Sequence, residues 1–221
     1  LDDKGNLVVD DGYKNAVRKF VGWHKDGTML KDVWGGSGGS SYADAVGEFK
    51  NGRVVMILSG SWQINRMQKE IGNAFDWVAT PNPCGPSACS GMPGGSAWVA
   101  LKTTKSPKEV GQFLDFMAQE ANVTEFASRT NNIPAHAGVA KKGVSYPTAS
   151  PAGQAALGVF TSGTLTLAPA AYALQGYKYN RALMLPTVTR VTQAIVGEIS
   201  VDEAVAKIST DMAEAVTQAK K

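Results

Sequence analysis

The sequence predicts an α/β fold, and three short apolar runs carry that prediction. Val54-Val55-Met56-Ile57-Leu58 is five apolar residues in a row between Gly52 and Ser59-Gly60, the pattern of a strand buried on both faces of a mostly parallel sheet. Phe75 to Thr80 reads as a second strand ending at Pro81, and Ala97 to Leu101 as a third, opened by the turn Pro93-Gly94-Gly95-Ser96, whose glycines let the backbone approach closely. Helical patterns surround these runs. In open α/β sheets a ligand lies beyond the carboxyl ends of the strands, so Ser59-Gly60-Ser61-Trp62 is where a small molecule would be met and Trp62 is a candidate platform.

In chain order, Asp10 or Asp11 caps a helix with Tyr13, Val17, Phe20, Val21 and His24 on one face, and Asp26-Gly27 ends it. His24 reads as a partly buried residue of that face. Trp34-Gly35-Gly36-Ser37-Gly38-Gly39-Ser40-Ser41 is too rich in glycine for a regular element, and it lacks the Lys-Ser or Lys-Thr ending of a phosphate-binding loop. Gln63 to Ile71 is a polar helix. Ser106-Pro107-Lys108-Glu109 opens another with a Ser cap, Pro in the first position and Glu three residues on, and Val110, Phe113, Leu114 and Met117 make its core face. Glu120 to Ser128 follows as a helix, Arg129 to Pro134 as a turn, 140–151 as loop and 152–160 as a weak helix. Thr187 to Val196 is helical and stops at Gly197. Ser200-Val201-Asp202-Glu203 is a capping box for a last helix with Ala204, Val205, Ile208, Met212, Ala215 and Val216 inward.

At 221 residues and 43% hydrophobic, the chain can bury one sizeable core or two modest ones. The net charge of +3 is dispersed, with no basic run longer than a pair such as Lys141-Lys142 or Lys220-Lys221, so nucleic acid is set aside as a partner. No apolar run reaches the roughly eighteen residues of a membrane span, and Leu1-Asp2-Asp3-Lys4 lacks the apolar core of a signal peptide, as a mature or internally cut chain would. Cys84 and Cys89 are the only cysteines. Their spacing can close a small disulfide loop, which points to an oxidising compartment, and two free buried thiols are the alternative. They make a poor zinc site, since structural zinc takes four ligands and His24 and His136 are far apart in sequence.

The series F-x-x-G-x-x-x-M-x-x-x-G-S-W from Phe49 to Trp62, then the Pro-Gly-Gly turn and its strand, then SPKEVGQFLDFMAQEANVTEFASRTNNIPA from Ser106, resembles the C-terminal half of bacterial extracellular solute-binding proteins of the sugar-binding kind. No one of these motifs is diagnostic; their order along nearly the whole chain carries the resemblance. It implies a periplasmic-binding-protein-like (type II) architecture of two α/β lobes that close around a ligand. Residues 1–93 and 160–221 would then belong to the C-terminal lobe. Residues 94–159 would carry a crossing strand and helices that pack on the N-terminal lobe, which is not found in this chain, and would lack a core of their own.

The resemblance also implies a periplasmic protein, or an extracellular lipid-anchored one in a Gram-positive cell. It implies a mono- or oligosaccharide ligand, the membrane permease of an ATP-driven importer as partner, and no cofactor or metal. An exported protein favours pairing of Cys84 with Cys89. Residue by residue, Trp62 matches the family's sugar-stacking tryptophan, with Ser61 beside it. Gly95 and Ser96, after Gly94, match a pair facing the cleft, and Arg181 sits where some members place a ligand-contacting Arg. Some members carry an aromatic residue at the place of Ser96, which leaves the size of the sugar open. Trp98 is expected to pack in the sheet, while Trp34 and Tyr179 remain unplaced.

With two His, two Cys and no carboxylate cluster of the D-x-D or H-E-x-x-H sort, the sequence offers no evident nucleophile–base pair or metal set. Ser59-Gly60-Ser61-Trp62 also lacks the G-x-S-x-G elbow of esterases. A binding role needs aromatics at strand ends, backbone donors beside glycines and a few hydroxyls, because sugars stack their C–H faces on Trp or Tyr and hydrogen-bond at their edges. The expectation is therefore a carbohydrate receptor rather than an enzyme. The alternatives are a receptor of the same fold for a polyamine, an opine or a phosphorylated polyol, and an unrelated α/β hydrolase or transferase.

Overall fold

A computed structural model describes residue 2 and residues 6–30, 44–86 and 88–220; Trp34 and the glycine-rich loop expected around it lie outside these. The chain divides into two compact units, Leu1–Ile57 with Gly176–Lys221, and Leu58–Gln175.

In the first unit, helix α1 (Asp11–Lys25) starts where the Asp10 carboxylate accepts the Tyr13 N–H at 2.7 Å, which satisfies one of the donors a helix start leaves open. A short α2 (Ala45–Lys50) is capped in the same way by Asp44. The unit's two long helices, α9 (Asn180–Val196) and α10 (Val201–Ala219), are joined by a turn in which Gly197 takes φ 87°. At the start of α10 the Ser200 hydroxyl accepts the Glu203 N–H at 3.1 Å.

Helices α1, α9 and α10 pack on one another around Val17, Val21, Val191, Ala194, Ile195, Ala204, Val205, Ile208 and Met212, all buried. Ala215 and Val216 are half-buried further along α10. His24 is buried on the inner face of α1, its Nδ1 2.8 Å from the Phe20 carbonyl. Helix α9 begins seven residues earlier than its sequence suggests and runs through Pro186. The missing proline N–H costs a helical bond, but Ala182 and Pro186 are both buried, and packing overrides the local preference.

The second unit holds a 3₁₀ turn (Ser61–Gln63), α3 (Ile64–Ile71), α4 (Pro107–Ala118), α5 (Glu120–Thr130), α6 (Ala137–Lys142), α7 (Pro151–Thr164) and α8 (Pro169–Gln175). Helix α3 buries Ile64, Met67 and Ile71 and packs against α7, which buries Ala156 and Leu157. Helix α4 starts at Pro107 as expected, but Ser106 makes no side-chain cap bond. Its expected core face is only partly covered: Val110, Leu114 and Met117 are half-buried and Phe113 is exposed. No single described helix is long and apolar enough to cross a membrane.

The α/β expectation, and with it the two-lobed α/β architecture, is overturned: among the described residues there are helices and no strand. Val54–Leu58 has no ladder, and Val55, Met56 and Leu58 are more than 80% exposed. Ala97–Leu101 is likewise irregular and open, with Trp98, Val99 and Leu101 exposed. The stretch Phe75–Thr80 keeps only the two-residue alternation of a strand, with Trp77 buried and Asp76 and Val78 exposed. An apolar run records a capacity to be buried; becoming a strand takes a neighbour to accept and donate along its backbone, and these three runs do not pair.

Cys84 and Cys89 are joined in a disulfide, and by chain entropy so short a loop contributes only about 2 kcal/mol.

Candidate ligand-binding site

The second unit brings two separate glycine motifs against one aromatic ring. After the buried Gly60, the chain makes a 3₁₀ turn in which the Gln63 N–H bonds the Gly60 carbonyl at 3.0 Å. Ile64 points inward and Trp62 stays 63% exposed. The six-membered ring of Trp62 lies against Gly60 so closely that a Cβ there would fall 2.1–2.5 Å from Cζ3, Cη2 and Cε3, which no side chain tolerates. Gly94 approaches the same ring, where a Cβ would stand 3.5 Å from Cζ3.

Behind this turn a polar network holds α3 in place. Asn131, the C-cap of α5, takes the left-handed conformation (φ 54°) and is buried. Its amide donates to Asn65 Oδ1 at 2.8 Å, and its own oxygen accepts from the Thr148 hydroxyl at 3.2 Å. Asn65 in turn donates to the Thr130 carbonyl, and Gln68, one turn along α3, accepts the Ser150 N–H at 3.0 Å. These bonds fix the helix that carries Trp62 at its entrance, since each buried polar group is worth most when its partners are in place. Sequence reasoning missed this group. Its signal is Asn131-Asn132 directly after a helix, where asparagine favours the left-handed cap.

The other expected site residues fall differently. Ser61 is half-buried within the turn, while Gly95, at φ 145°, and Ser96 are exposed next to Gly94. Trp98 is not in a sheet; it lies edge-on to Phe113 of α4 at 5.7 Å and is 61% exposed. Arg181 belongs to the first unit. It lines an open groove of about 520 Å³ with Tyr179, Leu185, Pro186, Asp211 and Ala215. There Tyr179 meets Tyr177 edge-on at 5.7 Å and lies under the Lys178 ammonium at 4.8 Å. Asp211 in that groove is engaged by Arg190 at 2.7 Å, and the same hydrogen bond raises the Arg190 pKa.

Chemically, the Trp62 site offers a flat apolar surface with Gly60 and Gly94 against it, and Ser61 and Ser96 follow these glycines within two residues along the chain. None of Gly60, Ser61, Gly94, Gly95 and Ser96 carries charge. Such a surface suits a neutral ligand with an apolar face and a polar rim.

Two comparisons with known proteins match this chain. The model of the bacterial extracellular solute-binding protein family matches residues 1–178, a stretch that includes Gly60, Trp62 and Gly94 and stops short of Arg181. The maltodextrin-binding protein MdxE of Bacillus subtilis (strain 168) is 31% identical over 146 residues, 63% of this chain and 33% of that protein. The chain thus spans about a third of the length of this curated relative.

Proposed function

This chain belongs to the bacterial extracellular solute-binding protein family, and on that premise we propose that it forms part of a carbohydrate receptor whose ligand stacks on Trp62. The observation that carries the proposal is the convergence of Gly60 and Gly94 on the ring of Trp62, with most of the side chain left open. Glycines let the backbone press against the indole and hold it, so the exposed ring is positioned before a ligand arrives and less freedom is lost on binding. Covering about half of a tryptophan's 150–250 Å² at ~25 cal/mol per Å² contributes roughly 2–3 kcal/mol.

The ligand class we propose is an α-glucan oligosaccharide, supported by the maltodextrin named for the relative. The apolar face of one glucose unit would rest on Trp62. Its hydroxyls would meet Ser61, Ser96 and the amides of Gly94 and Gly95. A phosphorylated or carboxylated solute would call for cations, and none of Gly60, Ser61, Gly94, Gly95 and Ser96 supplies one. In this reading the receptor works outside the cytoplasmic membrane and passes its sugar to the permease of an ATP-driven importer. A further lobe of the protein meets the sugar's other face, and closure around it is what the permease reads. The family and the relative are binding proteins by their descriptions, in keeping with a receptor rather than an enzyme.

Titration of the protein with maltotriose, followed by tryptophan fluorescence, tests the proposal. A saturable change in emission that is absent with spermidine and glycerol phosphate supports it; a response to either of those and none to maltotriose overturns it.

A further inference from the structure

Between α3 and α4 the chain runs from Gly72 to Ser106 without helix or strand among its described residues, yet this stretch must deliver Gly94 to Trp62. Its order comes from a small closed feature in the middle. Asn82 faces Gly91, so closely that a Cβ on Gly91 would fall 2.5 Å from the Asn82 amide nitrogen. Cys84 is bonded to Cys89, and the Gly85 N–H donates to the Ala88 carbonyl at 2.8 Å. These three pairs share one antiparallel register, that of a hairpin. Pro81 and Pro83 lie on its outgoing arm and cannot donate to a ladder, so the disulfide supplies the cross-strand tie that hydrogen bonds would otherwise make.

The returning arm is then moored. Ser90, next to Cys89, accepts the Ala168 N–H at 3.0 Å just before α8, and donates to the Gly91 carbonyl at 2.9 Å. Gly91 also comes within reach of Leu167. From Ser90 to Gly94 is four residues, at most about 14 Å of extended chain, and Pro93 restricts it further. A turn held on so short a tether stays near Trp62 as long as its mooring holds.

We propose that the Cys84–Cys89 hairpin and the Ser90 hydroxyl position the Gly94-Gly95-Ser96 turn on Trp62 and so set the rim of the sugar platform. They act through that turn without touching the ligand themselves. The inference rests on Trp62 being the platform, but its test has a readout that needs no sugar.

Protein labelled with 5-fluorotryptophan gives one ¹⁹F resonance for each of its five tryptophans, and Trp62→Phe identifies that of Trp62. Replacing both cysteines (Cys84→Ala with Cys89→Ala) is expected to move the Trp62 resonance, while that of Trp23, in the other unit, stays in place. Should the double variant lose its fold, as all five resonances moving together would show, Ser90→Ala decides, and it is expected to move the Trp62 resonance without that collapse. Maltotriose Kd is expected to rise about tenfold in the variant that stays folded. A Trp62 resonance unmoved in every folded variant, or a Kd unchanged while the resonance moves, overturns the inference. A protein that ignores maltotriose defeats the sugar reading instead and leaves the resonance to decide this one.

Discussion

Gly60 sits beneath the indole of Trp62 with no room for a side chain: a Cβ would lie 2.1 Å from Cζ3, whereas one on Gly94 would lie at an ordinary 3.5 Å from the same atom. One ring therefore meets two glycines under different constraints. Gly60→Ala is expected to push the ring off its seat and weaken maltotriose binding by about tenfold or more, while Gly94→Ala changes it less than threefold, since a 1 Å misplacement is costly and a van der Waals contact is not. Calorimetric Kd values for the two variants check the asymmetry.

Helix starts that look alike in sequence differ in the same way. Ser200 accepts the Glu203 N–H, but Ser106 makes no such bond and its N–H donates to Thr104 Oγ1. Ser200→Ala is expected to cost about 1 kcal/mol of stability and Ser106→Ala under about 0.3. Urea unfolding of both variants measures it.

A third expectation concerns alkaline pH. Thr187 Oγ1 donates to the Leu183 carbonyl, so the Tyr13 hydroxyl donates to Thr187 at 2.5 Å, tying α1 to α9. Burial raises the Tyr13 pKa above 10.0 despite the hydrogen bond to Thr187, which opposes the shift. Burial likewise raises that of Tyr146. Above pH 10 the unfolded chain loses these protons first, so stability that is full below pH 10 declines as pH rises through the folded-state values. Tyr13→Phe is expected to lower stability by about 1 kcal/mol at pH 8 and to shrink the alkaline loss. Unfolding free energies at pH 8 and pH 11 report both effects.

What the sequence made legible was what depends on neighbours in the chain. Asp10, the spacing of Val17 and Val21, the Ser200 cap and Gly197 define α1, α10 and the end of α9, and the residues so marked form the first core. The runs at Val54, Phe75 and Ala97 failed as strands because a ladder depends on partners distant in sequence, and apolarity alone does not supply them. Trp62 and Gly94 could be singled out from their motifs, but that they share one contact, with Gly60 as its floor, is tertiary. Arg181, singled out by the resemblance, belongs to the first unit, where it lines a groove with Tyr179 and Asp211. The Asn131 network was hidden because a left-handed asparagine announces itself only weakly.

The central claim is that Trp62 is a ligand surface and not a structural one, and Trp62→Ala tests it most directly. Calorimetry with maltotriose and thermal unfolding should be run on this variant and the parent protein together. The ring is 63% exposed, so Tm is expected to fall by no more than about 2 °C while Kd rises at least about thirtyfold, the equivalent of roughly 2 kcal/mol. A fall in Tm of about 8 °C or more with an unchanged Kd would contradict the account, because it would make Trp62 part of the core.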